Sequence, residues 1–251
     1  MRAAIQISGE FRTLHFSYYS FIEHICKNLE ANGYTEIFIF IHCWKREESS
    51  LGTFPFEGRG EWHKTMPVYS NDFGLEVYQP AAYLFENLED IDFLKGRSRI
   101  LCMYYSIYMA NEIRKQFSQK TQLSFDLVIR YRTDLILEEP LLKNKPEESS
   151  FLVIPKSTIV STCDGPFESS DKNHICDYLA YGTPDTMDIY CNTFLTWIHL
   201  TPTPIGESCL AMHLAIHKLR ATRIPLAFYL VEGDGQKRGM VQRSDFIETD
   251  A

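Results

Sequence analysis

Three ionisable side chains stand at every second position in the stretch Phe125-Asp126-Leu127-Val128-Ile129-Arg130-Tyr131-Arg132-Thr133-Asp134-Leu135-Ile136-Leu137: Arg130, Arg132 and Asp134. Side chains alternate across a strand, so the three share one face if the extended geometry persists that far. They follow an unbroken apolar run, Leu127-Val128-Ile129, of the kind found in a strand covered on both faces. Two guanidinium groups and a carboxylate would then leave the sheet together at its C-terminal edge, where open α/β sheets place their ligands. The same residues can instead make an internal ion pair, Arg132 with Asp134, that ties down a loop, because buried charges need partners for either purpose.

Other groups have chemistry to offer. In Ser8-Gly9-Glu10-Phe11-Arg12-Thr13 the glycine permits a tight path, and backbone amides with Arg12 could cradle an anion. The chain has neither G-x-G-x-x-G nor G-x-x-x-x-G-K-[ST], so a Rossmann dehydrogenase and a P-loop NTPase are unsupported, and the spacing by itself favours a structural turn. His42-Cys43-Trp44 could bind a metal or stack a ligand, but with no second ligand nearby a satisfied structural histidine is the better reading. Asp177 opens a strand-like run after a loop rich in turn residues, a place for an acceptor-binding carboxylate or a base. Glu207, at a helix start, reads when taken alone as a partner of the helix dipole.

These groups need a scaffold, and hydrophobic periodicity outlines one. Arg2 to Ile7 and Glu36 to His42 read as strands flanking an amphipathic helix from Leu14 to Leu29 that closes at Asn32-Gly33, a β-α-β unit with a right-handed crossover. Residues 47–66 read as a long loop, either a binding lid, given Phe54, Phe56, Trp62 and His63, or an ordinary surface excursion, and Val77 to Pro80 as a short strand or extended segment. A helix over 95–120, with Met103, Ile107, Ala110, Ile113 and Phe117 inward, feeds the central stretch. Beyond it, Phe151 to Pro155 and Thr158 to Thr162 read as strands and Cys163 to Asn173 as a loop. Thr183-Pro184-Asp185 starts a helix with Met187, Tyr190, Cys191, Phe194 and Ile198 buried. A last helix from Gly206 turns Cys209, Leu210, Met212, Leu214, Ile216 and Leu219 inward, and a strand from Ile224 to Val231 closes the fold. A mobile tail bearing Lys237 and Arg238 follows, able to fold over a diphosphate or simply to be solvated.

With 251 residues, 45% hydrophobic and 23% charged, the chain has the composition of an ordinary globular protein with a sizeable core. A formal net charge of −8 argues against a general affinity for nucleic acid or anionic membranes, so an anionic ligand must be held locally. Seven cysteines without a C-x-x-C pair read as core residues of a reducing compartment. No apolar run is long enough to span a bilayer and no signal-peptide core is evident, so a cytoplasmic protein is expected, any membrane association being peripheral.

In their order along the chain, the Ser8 to Thr13 turn, Ile39-Phe40-Ile41-His42-Cys43-Trp44, Phe125 to Asp134, Asp177-Tyr178-Leu179-Ala180-Tyr181-Gly182 and Glu207-Ser208-Cys209-Leu210 resemble the WavE-like glycosyltransferases. These are proteins of bacterial lipopolysaccharide and capsule loci, with relatives in large viruses. The resemblance runs from the first strand to about Leu219. It implies a GT-A-like α/β fold, a Rossmann-type sandwich on a mostly parallel central sheet. Residues 1–137 would form the nucleotide-sugar-binding half of a single domain, 138–231 the acceptor-binding half and 232–251 the tail.

It further implies a nucleotide-sugar donor and a glycan or lipid-linked saccharide acceptor, in surface polysaccharide synthesis. Ser8, Gly9, Arg12, Arg130, Arg132 and Asp134 are the expected donor-binding residues, and Asp177 or Glu207 the catalytic base. Where GT-A enzymes carry D-x-D to hold a divalent cation, this chain has Arg132-Thr133-Asp134. Asp134 is therefore a candidate single-carboxylate ligand of Mg or Mn, and metal-independent binding through Arg132 the alternative. A non-catalytic nucleotide- or carbohydrate-binding protein of a polysaccharide assembly complex is a competing reading. So is a sugar nucleotidyltransferase, although that class normally shows a glycine-rich N-terminal loop with a lysine or arginine.

Overall fold

Apolar runs long enough to be covered on both faces become the inner strands of one sheet. The computed structural model describes residues 1–53, 65–142, 158–161, 177–198, 206–223, 226, 228–231 and 237–238. In chain order they form β1 (Arg2–Gly9), α1 (Leu14–Phe21), a π-helical turn (Ile22–Cys26) continuing into α2 (Lys27–Ala31), β2 (Glu36–Trp44), β3 (Ser50–Thr53), β4 (Thr65–Val68), α3 (Asn71–Tyr78) and β5 (Ala82–Glu86). Two short 3-10 turns lead to α4 (Arg99–Thr121), then β6 (Leu127–Tyr131), β7 (Leu135–Leu137), β8 (Thr158–Ser161), β9 (Leu179–Gly182), α5 (Pro184–Cys191), α6 (Thr193–Trp197), α7 (Gly206–Ile216), β10 (Arg220–Arg223), β11 (Phe228–Val231) and β12 (Lys237–Arg238).

The main sheet has seven strands in the order β10-β8-β9-β6-β1-β2-β5. Among these described strands only β9 runs against its neighbours, so the sheet is mostly parallel and the α/β expectation is met. β6 and β1 sit at its centre and end at the same edge, with Gln6 opposite Arg130 and Ile7 opposite Tyr131. Odd positions of β1 and β6 (Ala3, Ile5, Ile7, Leu127, Ile129, Tyr131) pack with Phe21, Ile25 and Leu29 of the first helical stretch. Even positions (Ala4, Val128) pack with Tyr104 and Ile107 of α4 and with Met187, Tyr190, Trp197 and Leu210. Towards the C-terminal edge this second face turns polar, through Gln6, Ser8, His42 and Arg130, all buried. No helix of the described residues is long and apolar enough to cross a membrane.

Several local expectations change. β1 and β2 each run two residues further than the hydrophobic pattern indicates, so Ser8 and Gly9 still pair with His42 and Cys43. Val77 and Tyr78 end α3 instead of forming an extended segment: Ser70 caps the helix by accepting the Phe73 amide, and Gln79 leaves it in a left-handed conformation at φ 45°. Within the expected 47–66 loop, β3 and β4 pair antiparallel, while Phe54, Phe56, Trp62 and His63 lie outside the described residues. Asn192 divides the helix after Thr183 into α5 and α6. On α7, Cys209, Leu210 and Leu214 point inward as expected, but Met212 and Ile216 are exposed, because only one side of the helix packs on α5 and α6. β11 pairs with β7 and β12 in a separate small sheet and not with the main one. The expected strand 151–155, the 163–173 loop and the tail beyond 238 lie outside the described residues.

One contact fixes the turn after β1. Phe11 is buried with its ring flat on the backbone of α3, where a Cβ placed on Gly74 would come within 2.1 Å of it. Gly74→Ala is therefore expected to overpack this junction at a cost of about 1–3 kcal/mol. For a chain of this length each kcal/mol moves Tm by about 2–4 °C. Calorimetry of the variant checks it, and an unchanged Tm would mean that Phe11 is not wedged.

Candidate functional site

β6 delivers the central charges, but not by alternation. The strand stops at Tyr131, whose hydroxyl donates to the Leu135 carbonyl at 2.7 Å, and Leu135 N–H returns to the Arg132 carbonyl at 3.3 Å. Arg132 and Asp134 therefore sit on a turn and not on one strand face. They meet nonetheless: Arg132 Nε and Nη2 donate to the two carboxylate oxygens of Asp134 at 2.9 and 2.8 Å. The guanidinium also lies 4.6 Å over the ring of Tyr178. Burial alone would raise the Asp134 carboxyl, but the charge and hydrogen bonds of Arg132, helped by Arg12, hold it below the ordinary range. Burial likewise works against the Arg132 guanidinium, and Asp134 and Asp177 overcome it, so the group titrates above its ordinary value. The ion-pair alternative for Arg132 and Asp134 is thus realised in the geometry.

Arg130 differs. It lies on the even face of β6, is 2% exposed, and among the described residues its Nε and Nη1 have no hydrogen-bond partner. Burial lowers its pKa; Tyr190, Asp177 and Asp134 act upward and Arg132 downward. Ser8, two residues beyond Arg130's partner Gln6 and so on the same face, is also buried with an unpartnered Oγ. A guanidinium with two open nitrogens on the same sheet face as an open hydroxyl is a donor set suited to an anion.

The turn after β1 is tied into this edge. Gly9 takes φ 108°, a conformation that glycine adopts readily, and its amide donates to Ser106 Oγ of α4 at 3.0 Å. Arg12 N–H donates to Thr133 Oγ1 at 3.3 Å and the Thr133 hydroxyl to the Glu10 carbonyl at 2.7 Å. The Arg12 guanidinium donates to one carboxylate oxygen of Glu10 at 2.9 and 3.1 Å, and Arg46 to the other at 3.2 Å. Gly9 and Arg12 thus have intramolecular partners, in a turn whose spacing favours a structural role and which the resemblance assigns to the donor. His42 is a satisfied structural histidine, its ring nitrogens 2.7 Å from Ser106 Oγ and 2.8 Å from Glu86. Hydrogen bonds from His42 and Tyr105 outweigh burial and keep Glu86 below the ordinary carboxylate range.

Asp177 is buried directly before β9, and its charge acts on both Arg130 and Arg132. The structure therefore brings Ser8, Arg130, Arg132, Asp134 and Asp177 to one sheet edge, with Arg12 close enough to influence Asp134. Glu207 is the second residue of α7, and its side chain is outside the described part of the chain. Glu10, Arg46, Ser106, Thr133 and Tyr178 join the site without having been marked by sequence; each acts through a partner distant in sequence. Tyr178 alone had a local signal, as the aromatic neighbour of Asp177.

Asp134, the candidate cation ligand, has both carboxylate oxygens on Arg132, and among the described residues no three His, Cys, Asp or Glu side chains gather to hold a metal. Mg is commonly held by one or two carboxylates together with substrate phosphates and water, so Asp134 would serve such an ion only after leaving Arg132.

No family model matches the chain, and no curated protein matches it by sequence. Among solved structures it is similar to a glycosyltransferase involved in the glycosylation of the major capsid of PBCV-1, at 13% identity and TM-score 0.43 over 89% of this chain and 81% of that one. It is also similar to the galactosyltransferase LgtC in complex with donor and acceptor sugar analogs, at 10% identity and TM-score 0.42 over 88% of this chain and 73% of that one.

Proposed function

We propose that the chain is a glycosyltransferase that moves a sugar from a nucleotide-sugar donor to a glycan or lipid-linked saccharide in surface polysaccharide synthesis. The observation that carries this reading is Arg130: a buried guanidinium with two unpartnered nitrogens at the C-terminal edge of a mostly parallel sheet. Leaving such a group unsatisfied is unfavourable by several kcal/mol, a cost that an anionic ligand relieves. The resemblance of Ser8 to Thr13 and Phe125 to Asp134 to the WavE-like glycosyltransferases supports a diphosphate as that anion.

In the transfer, the acceptor hydroxyl oxygen bonds to the anomeric carbon as the bond from that carbon to the diphosphate oxygen breaks. The nucleoside diphosphate leaves with the electron pair. Arg130 neutralises the charge that develops there, and the Ser8 hydroxyl donates a hydrogen bond to it. Arg132 and Asp134 form the rigid floor against which donor phosphate and sugar lie. Asp177 or Glu207 takes the hydroxyl proton in an inverting reaction. No step needs a divalent cation, since the guanidinium supplies the positive charge.

Thermal shift with a panel of nucleoside diphosphates and nucleotide sugars tests the reading. A ligand at about 100 times its Kd adds about 2.7 kcal/mol of stability, and each kcal/mol corresponds to about 2–4 °C at this chain length. The expected result is such a shift for one nucleotide series, equal in manganese and in excess EDTA. No shift with any nucleotide would sink the donor assignment, and a shift abolished by EDTA would sink the cation-free mechanism.

A further inference from the structure

The charged turn after β1 is continuous with a row of rings, of which His15, Phe16 and Phe73 are exposed and Tyr69 is partly buried. His15 and Phe16 lie at the start of α1, Tyr69 just before α3, and Phe73 in the first turn of α3. Ring centroids are 3.8 Å apart for His15 and Phe16, 5.6 Å for His15 and Tyr69, and 4.8 Å for Tyr69 stacked on Phe73. Phe16 is 37% exposed, Phe73 38%, and Tyr19, one helical turn from Phe16 on the same face of α1, 74%.

The row is held in place. Tyr69 N–H donates to the Phe11 carbonyl at 2.9 Å, Tyr69 Oη bonds His15 Nδ1, and Arg12 bridges to Val68. Asn71 N–H donates to the Arg46 carbonyl at 2.9 Å, and the Asn71 side chain accepts from Arg46 N–H. These ties set the rings beside the partly buried cluster of Glu10, Arg12 and Arg46. Exposed apolar surface on a rigid frame, bordered by charged hydrogen-bonding groups, marks a ligand site.

We propose that this row, which lies within residues 1–137 and not in the 138–231 half that the resemblance assigns to the acceptor, binds the saccharide acceptor. A pyranose has a face of C–H groups that packs on an aromatic ring, and an edge of hydroxyls that both donate and accept, which a guanidinium–carboxylate cluster matches. A nucleobase is flat on both sides and is best held in a slot between two surfaces. Here Tyr69 and Phe73 already stack on each other and present only outer faces. The acceptor role rests on the glycosyltransferase reading; the saccharide affinity can be tested apart from it.

The full chain is applied to a printed array of mono- to tetrasaccharides, and the best-retained glycan is titrated by calorimetry against the wild type and the variant Phe16→Ser/Phe73→Ser. A nucleoside diphosphate is titrated in parallel. The expected result is a glycan affinity at least about tenfold weaker in the variant, equal to about 1.4 kcal/mol, with nucleotide affinity and Tm unchanged. Retention of no glycan by the wild type, equal affinity in the variant, or loss of nucleotide affinity in place of glycan affinity each overturns the proposal. The last would make the row a base-stacking surface. A wild type that binds glycan but no nucleotide counts against the donor assignment and leaves the glycan surface standing.

Discussion

Arg130→Met is expected to abolish nucleotide binding while leaving the ligand-free protein as stable as the wild type, or more so. Both halves follow from one observation, a buried guanidinium whose Nε and Nη1 have no partner among the described residues. Charge-assisted hydrogen bonds contribute about 1.5–3 kcal/mol each. Losing two of them weakens a nucleoside diphosphate by at least about a hundredfold. Without ligand the same group is a liability, offset in part by the fields of Tyr190, Asp177 and Asp134. Replacing buried ionic groups with apolar ones of similar volume is often neutral or stabilising by about 1–4 kcal/mol. Calorimetric titration and a melting curve on the same sample read both quantities. Intact nucleotide affinity together with a collapsed Tm would make Arg130 a structural residue and remove the main support for the proposed function. Arg130→Lys should restore charge without the planar fork and recover only part of the affinity.

The inner strands β1, β2 and β6 were legible from sequence because they are apolar runs bounded by turn chemistry, whereas the edge strands β5 (Ala82–Glu86) and β10 (Arg220–Arg223), the latter with no apolar run, were not. The start of α5 was legible for a local reason as well: Thr183 accepts from the Thr186 amide with Pro184 behind it, all within four residues. What stayed hidden is decided at a distance. Whether Arg12 faces a ligand or a carboxylate depends on Glu10, and the orientation of Glu10 depends on Arg46 and Thr133, which lie 36 and 123 residues away. α3 was misread because its eight residues include Gly74 and no clear apolar period, and its place is set by the Phe11 ring that only Gly74 admits. Alternation failed at Arg132 because a hydroxyl on the opposite face of the strand, that of Tyr131, closes the turn. The charged residues were thus found by type and spacing, while their division into paired and open groups required the fold.

That division makes Asp134 the second sharp test. The carboxylate is 8% exposed and Arg132 21% at the side chain, so removing one partner strands a largely buried charge. Asp134→Ala is expected to cost about 3–5 kcal/mol. At this chain length that lowers Tm by roughly 6–20 °C. The double variant Arg132→Met/Asp134→Leu, which removes both charges, should recover most of the loss, and the double-mutant cycle should return a coupling energy well above the ordinary experimental scatter. The pH dependence has a definite sign. Asp134 titrates below its ordinary value when folded, so its contribution is fully present above an unfolded pKa of about 3.9 and is lost as pH falls through the lower folded value. The wild type should therefore lose stability more steeply than the double variant on that acid limb. If instead Asp134→Ala melts within about half a kcal/mol of the wild type, as surface substitutions do, the pair is loose. Asp134 would then be available to a donor sugar directly, and Arg132 would join Arg130 in holding the phosphates.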